Sequence, residues 1–159
     1  MDKETLQGFA TRVSQANRSQ LVVVIYEATL ASMAEGKSLL EAGQVEEARS
    51  ELKRARGLIE ELMRSLDMKY NISSYLRQLY IFAYRELCQS VALRQPERID
   101  HASHIFEGLL PSFQKIAEGD DSGPVMKNVQ QIYAGLTYGR GTLNESLGMG
   151  VDIHRGYEA

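Results

Sequence analysis

Tryptophan is absent from these 159 residues, cysteine occurs once and proline three times. So little proline leaves long stretches open to helix, because an interior proline removes a backbone donor and clashes with the preceding turn. A lone Cys88 has no mate for an intramolecular disulfide, which suits a reducing compartment. Set among helix-forming residues, it reads first as a small buried hydrophobe. Long apolar runs are missing as well. The longest, Leu21 to Tyr26, falls far short of the roughly 20 residues that cross a bilayer, and the opening Met1-Asp2-Lys3-Glu4-Thr5 has no apolar stretch of the kind a secretory leader carries. A cytoplasmic chain with no membrane segment is expected. Neither sign of charge dominates: 18 Lys plus Arg stand against 21 Asp plus Glu, interspersed along the chain. No face is then built for a phosphate backbone, so nucleic acid is not an expected partner.

What is present is helical periodicity, in a chain that is 43% hydrophobic and of a length that suits one core. Val45, Ala48, Leu52, Ala55, Ile59, Leu62 and Leu66 recur at steps of three and four, with charged residues off the seam. Ile99, Ala102, Phe106, Leu109, Phe113 and Ile116 repeat the pattern behind Pro96, which suits a first helical position. Asn17 or Ser19 can cap a first helix, and Gly43 can end it in a left-handed conformation. Helices are predicted near residues 19–42, 44–67, 72–94 and 96–118. Short links make sequential helices antiparallel, so the fold class is all-α, an up-down four-helix bundle. Pro111 should kink the last helix or free a carbonyl one turn earlier. A loop follows from Glu118 to Pro124, then Val125, Val129, Ile132 and Leu136 at the spacing of a short fifth C-terminal helix, then a glycine-rich flexible tail. The expected division is an N-terminal segment 1–18, the bundle 19–118, a linker and fifth helix 119–138, and the tail 139–159.

Two of the predicted helices carry more apolar residues than one buried stripe requires. The first has a seam of Leu21, Val24, Ile25, Ala28, Ser32 and Leu39, and a second strip of Val23, Tyr26, Leu30 and Met33 at 100° per residue. The third has Leu76, Leu79, Tyr80, Ala83, Leu87 and Val91 on one side and Ile81, Tyr84, Cys88 and Ala92 on another. Either the C-terminal helix or tail packs over these strips as an added layer, or a helical partner does. The tail could also cover a strip and yield it on binding.

Catalytic and metal chemistry finds little footing. A di-iron bundle would need paired Glu-x-x-His motifs, and none occurs. His101 and His104 share a helix face away from the core seam, with no third ligand placed to complete a metal site, and read as solvated. Arg94 with His101, or Arg98 with His104, has the loose Arg-to-His spacing of helical HEPN-type ribonucleases, a spacing chance also produces. Gly139-Arg140-Gly141-Thr142 lacks the Lys-Ser/Thr element of a phosphate loop. No enzyme, cofactor or metal is expected. The non-enzymatic alternative is a structural module that self-associates through the same strips, as a homodimer or by tail exchange.

Ser19-Gln20-Leu21-Val22-Val23-Val24-Ile25-Tyr26 opens the first predicted helix, Leu62-Met63-Arg64-Ser65-Leu66-Asp67 ends the second, and the third carries Leu79-Tyr80 with Phe82, Arg85 and Leu87. In the order and spacing of these motifs, residues 19–118 resemble the FliS family of flagellin export chaperones. Many members carry a Tyr-containing N-terminal stretch that caps the client groove. Residues 1–16 here have Phe9 as their only aromatic, and Phe113 stands where a Trp is common. The resemblance implies a cytoplasmic holdase that binds the disordered C-terminal segment of flagellin, prevents premature polymerisation and aids delivery to flagellar secretion. On that reading the client-binding residues are Val22, Val23, Tyr26, Leu30 and Met33 on the first helix and Ile81, Tyr84 and Cys88 on the third.

Overall fold

A computed structural model describes residues 1–126. Among them are five helices: α1 (Lys3–Gln15), α2 (Arg18–Glu41), α3 (Val45–Ser65), α4 (Asn71–Leu93) and α5 (Glu97–Glu118), with no strand. The four predicted helices correspond to α2 through α5, with ends shifted by a few residues at most. The expected fifth C-terminal helix and the glycine-rich tail lie outside the described residues.

Each connection has a local cause. Asn17 opens α2 with a reciprocal capping box, its side chain accepting from the Gln20 N–H while the Gln20 side chain accepts from the Asn17 N–H. Gly43 takes φ 77° between α2 and α3, a conformation that favours a residue without Cβ. The α4–α5 corner uses the same left-handed step without a glycine: Arg94 sits at φ 54°, ψ 46°, and the Gln95 N–H reaches back to the Ser90 carbonyl at 2.9 Å. Pro111 does not end α5, which continues to Glu118. With no N–H at Pro111, the Glu107 carbonyl is left to solvent on an exposed turn.

In the bundle α2 packs on α3 and α5, and α4 packs on α3 and α5, so the four helices close a ring. Its interior holds the α3 seam, with Ala48, Leu52, Ala55, Ile59 and Leu62 all buried, and the α5 seam from Ile99 through Phe106. Across the ring Tyr26 of α2 meets Tyr80 of α4, hydroxyl to hydroxyl at 2.5 Å. Phe106 and Phe113 of α5 both lie with ring centroids 5.0 Å from that of Tyr26. Each hydroxyl supplies the hydrogen bond the other needs, which is what permits two phenols in an apolar centre. Elsewhere α2 and α3 approach so closely that a Cβ on Gly36 would lie 2.6 Å from Leu52 Cδ2. Any larger residue there would push a packed core leucine aside.

The stretch 1–18, read as a plain N-terminal segment, is mostly helical. Asp2 caps α1 by accepting from the Thr5 N–H at 2.7 Å, and Leu6, Phe9, Ala10 and Val13 recur at helical spacing. The helix packs on α2, where Arg12 pairs with Glu27. The Met1 α-amino group stands 2.6 Å from Glu51 of α3, a largely buried carboxylate that Arg54 also holds. Behind α5 the chain returns over the α1–α2 junction. Asn17 donates to the Asp120 carbonyl, Ser19 donates to the Asp120 carboxylate at 2.5 Å, and the Val125 N–H donates to the Ala16 carbonyl at 3.1 Å.

Candidate functional site

The α2 residues expected to meet a client belong instead to the interior. Tyr26 and Met33 have no solvent exposure and Val23 is buried, while Val22 and Leu30 are half-buried against the core. A helix that borders α1, α3 and α5 has three sides to cover, so its second apolar strip is consumed by neighbours of its own chain. Val23 does reach an open depression of about 680 Å³ between α1, α2 and the end of α5, floored with Val24 and rimmed by Arg12, Gln20, Gln114 and Glu118.

On α4 the expected residues divide. Ile81 is exposed, whereas Tyr84 and Cys88 are half-buried on the flank facing α3. There Arg56 donates to Cys88 Sγ at 3.1 Å and lies 5.7 Å from the Tyr84 ring centroid. A hydrogen bond to the Glu60 carboxylate pushes the Tyr84 phenol above its ordinary range, and burial adds to it. The guanidinium thus roofs part of the strip that sequence periodicity left open.

The exposed apolar surface of α4 lies on its other flank. Ile72, Tyr75, Leu79 and Phe82 are spaced three, four and three apart, one position before the buried Ser73, Leu76, Tyr80 and Ala83. Tyr75 is 66% exposed, Ile72 61% and Phe82 48%, with Met68 and Tyr70 of the preceding loop open as well. Leu79 was read as part of the core seam, yet it is 37% exposed, because the seam turns inward one residue later at Tyr80. The signal in sequence was the excess of large side chains over what one stripe could bury. Its direction depended on where α5 sits.

A clamp on one buried carboxylate fixes that placement. Glu86 is 7% exposed, accepts from Arg98 Nη1 at 2.9 Å through one oxygen, and stands 2.8 Å from His101 Nδ1 through the other. Gln89 Oε1 also accepts from Arg98. His101 and His104 are both exposed, as expected, and His101 is in addition a partner of a buried carboxylate. Glu86 continues the flank of Leu79 and Phe82 by one turn, and Arg98 and His101 begin the α5 flank that runs on through Ile105, Leu109 and Ile116. The clamp so brings two apolar flanks face to face along the antiparallel pair. Ile105 and Leu109 are partly buried against the core, and Ile116 is exposed.

This surface has the makings of a docking groove for an apolar segment. Among the described residues no three His, Cys, Asp or Glu side chains come together as metal ligands, and no helix is long and apolar enough to cross a membrane. Compared with known families, residues 1–120 match the family model described as Flagellar protein FliS. No curated protein matches the chain.

Proposed function

Because the chain belongs to the FliS family of flagellar export chaperones, we propose that it holds the C-terminal segment of flagellin on the exposed face of α4 and its groove with α5. The observation that carries this reading is the concentration of large exposed side chains, Ile72, Tyr75, Leu79 and Phe82, on one flank of one helix of a bundle whose interior is otherwise filled. Water-exposed apolar area on this scale favours a partner. Covering a side chain of that size contributes about 1.5–3 kcal/mol, enough over several residues to offset the ordering of a disordered client. The client's polymerising segment, once laid in the groove, is shielded from other subunits until it is handed on. The work is done in the cytoplasm by reversible binding, with no bond made or broken.

Calorimetric titration of the full chain with a flagellin C-terminal peptide tests the reading. A one-to-one complex with a negative heat-capacity change is expected. Phe82→Glu or Tyr75→Glu should weaken it at least tenfold while leaving the melting temperature within about 2 °C, since exposed positions contribute little to folding. A wild-type chain that ignores the peptide would end the proposal. So would variants that lose binding only in proportion to folding.

A further inference from the structure

We propose that, when no client is bound, the exposed face of α4 is covered by a second copy of this chain, the two α4 helices packed antiparallel about a two-fold axis between Leu79 and Phe82. The pairing rests on the seam itself. The client reading enters only through competition for the same face.

Spacing comes first. From Ile72 through Tyr75, Leu79 and Phe82 to Leu93, the flank repeats at steps of three and four without a break, Glu86 and Gln89 filling the two positions between. That alternation is the seam by which two helices interlock, and the inward face of α4 is already spent on Leu76, Tyr80, Ala83 and Leu87. The two polar members are held within their own chain, since both accept from Arg98, so closing the seam leaves no unpaired carboxylate. An isologous pair also needs a surface that maps onto itself when turned end for end. Met68, in the loop before α4, and Leu93, at its last turn, are each 54% exposed and stand equally far in sequence from the midpoint of Leu79 and Phe82. Turned about that midpoint, Leu79 meets Phe82 of the other copy, and Met68 meets its Leu93.

Area comes second. With roughly 150–250 Å² for a whole aromatic side chain and less for an aliphatic one, the exposed fractions of the six apolar residues from Met68 to Leu93 come to about 500 Å² per copy. A standard interface buries about 800 Å² per partner, roughly 60% of it apolar. The seam supplies that apolar share.

Charge sets the direction. The Asp67 carbonyl accepts from Ser73 Oγ at 2.7 Å, which pins residue 67 to the first turn of α4, and Arg94 caps the last. Both are exposed, and neither has an ion-pair partner among the described residues. They too are equally far from the midpoint, so an antiparallel pair sets Asp67 of each copy beside Arg94 of the other, twice per dimer. A parallel pair would set like charges together. The remaining charges of α4, Arg77 and Arg85, lie off the seam at 100° per residue.

Sedimentation equilibrium of the full chain tests the pairing. Without client, the mass should rise with concentration from 17.8 kDa to twice that value. Phe82→Glu should weaken the dimer at least tenfold at an unchanged melting temperature. Asp67→Arg and Arg94→Asp should each weaken it about tenfold at low salt, because each turns both end pairs from attraction to repulsion. The second is compatible with the corner, since Asp tolerates the left-handed conformation there. Mixed in equal parts, these two variants should recover wild-type association, both end pairs then being of opposite sign. A chain that stays single to millimolar concentration overturns the inference, as does a dimer that survives Phe82→Glu or a mixture that does not recover. A flagellin C-terminal peptide should convert the dimer into a one-to-one complex. A peptide that binds while the dimer persists overturns the inference too, because client and second copy would then occupy different faces. If the dimer behaves as stated and the peptide never binds, the inference stands and the chaperone reading falls.

Discussion

Arg94 is the one non-glycine residue with positive φ among those described, and it closes the corner that lets α5 turn back along α4. A side chain in the left-handed region costs about 1–2 kcal/mol, part of which glycine would return as unfolded-chain entropy. Arg94→Gly should therefore stabilise the fold by about 0.5–1 kcal/mol, measured as a shift in the urea midpoint at unchanged slope. The tyrosine pair makes a prediction of opposite tendency. Burial pushes both phenols upward, and the neighbouring Tyr80 adds to the effect on Tyr26. A phenol held neutral by the fold contributes stability that is fully present below its ordinary value of 10 and is lost as pH rises beyond it. Ultraviolet titration should show Tyr26 and Tyr80 ionising only together with alkaline unfolding. Tyr26→Phe should lower stability at neutral pH by about 1–3 kcal/mol, because Tyr80 is then left with a buried, unpaired hydroxyl.

At the scale of elements, the least expected piece is the clasp that ties the end of α5 to the start of α2. Asp120 accepts from Ser122 and from Ser19, and these hydrogen bonds hold its carboxyl at about 2, below the usual 3.8. A carboxyl depressed by the fold contributes stability above its unfolded value and loses it as pH falls through the folded one. The clasp should thus persist at neutral pH and release as pH drops from about 4 toward 2. Carboxyl chemical shifts give the measurement: the Asp120 midpoint should rise toward 3.8 in Ser122→Ala, and a midpoint unmoved by that change would show the bond to be idle. Helix α2 explains a different outcome. Its two apolar strips were both visible in the spacing of Leu21 through Leu39, but periodicity counts stripes without saying what covers them. Tyr26 and Met33 face the bundle interior, Tyr26 against Tyr80, Phe106 and Phe113 and Met33 beside Ser103 of α5, and have no surface left to offer.

For the whole molecule, binding and stability are linked. A client held by the folded bundle and not by the unfolded chain should raise its stability by about 2.7 kcal/mol at a hundredfold excess over Kd. For a chain of this size that is a rise of about 5–10 °C in Tm, readable by calorimetry with the flagellin peptide present, and absent in Phe82→Glu. Residue spacing alone determined the helical class, the four bundle helices, the α3 seam and the α5 seam from Ile99 through Phe106, because a period of three and four is a local property; Ile116, read as the end of the α5 seam, is exposed. It also held the cap of α1 in Asp2 and its apolar spacing in Leu6, Phe9 and Val13, a signal too short to stand out before its packing on α2 was known. Only the tertiary structure decided which apolar residues remain outside. Ile72, Tyr75, Leu79 and Phe82 are no less hydrophobic than Tyr26, Val23 and Met33. What separates them is the number of neighbouring helices around each face, a long-range quantity that no window of sequence contains.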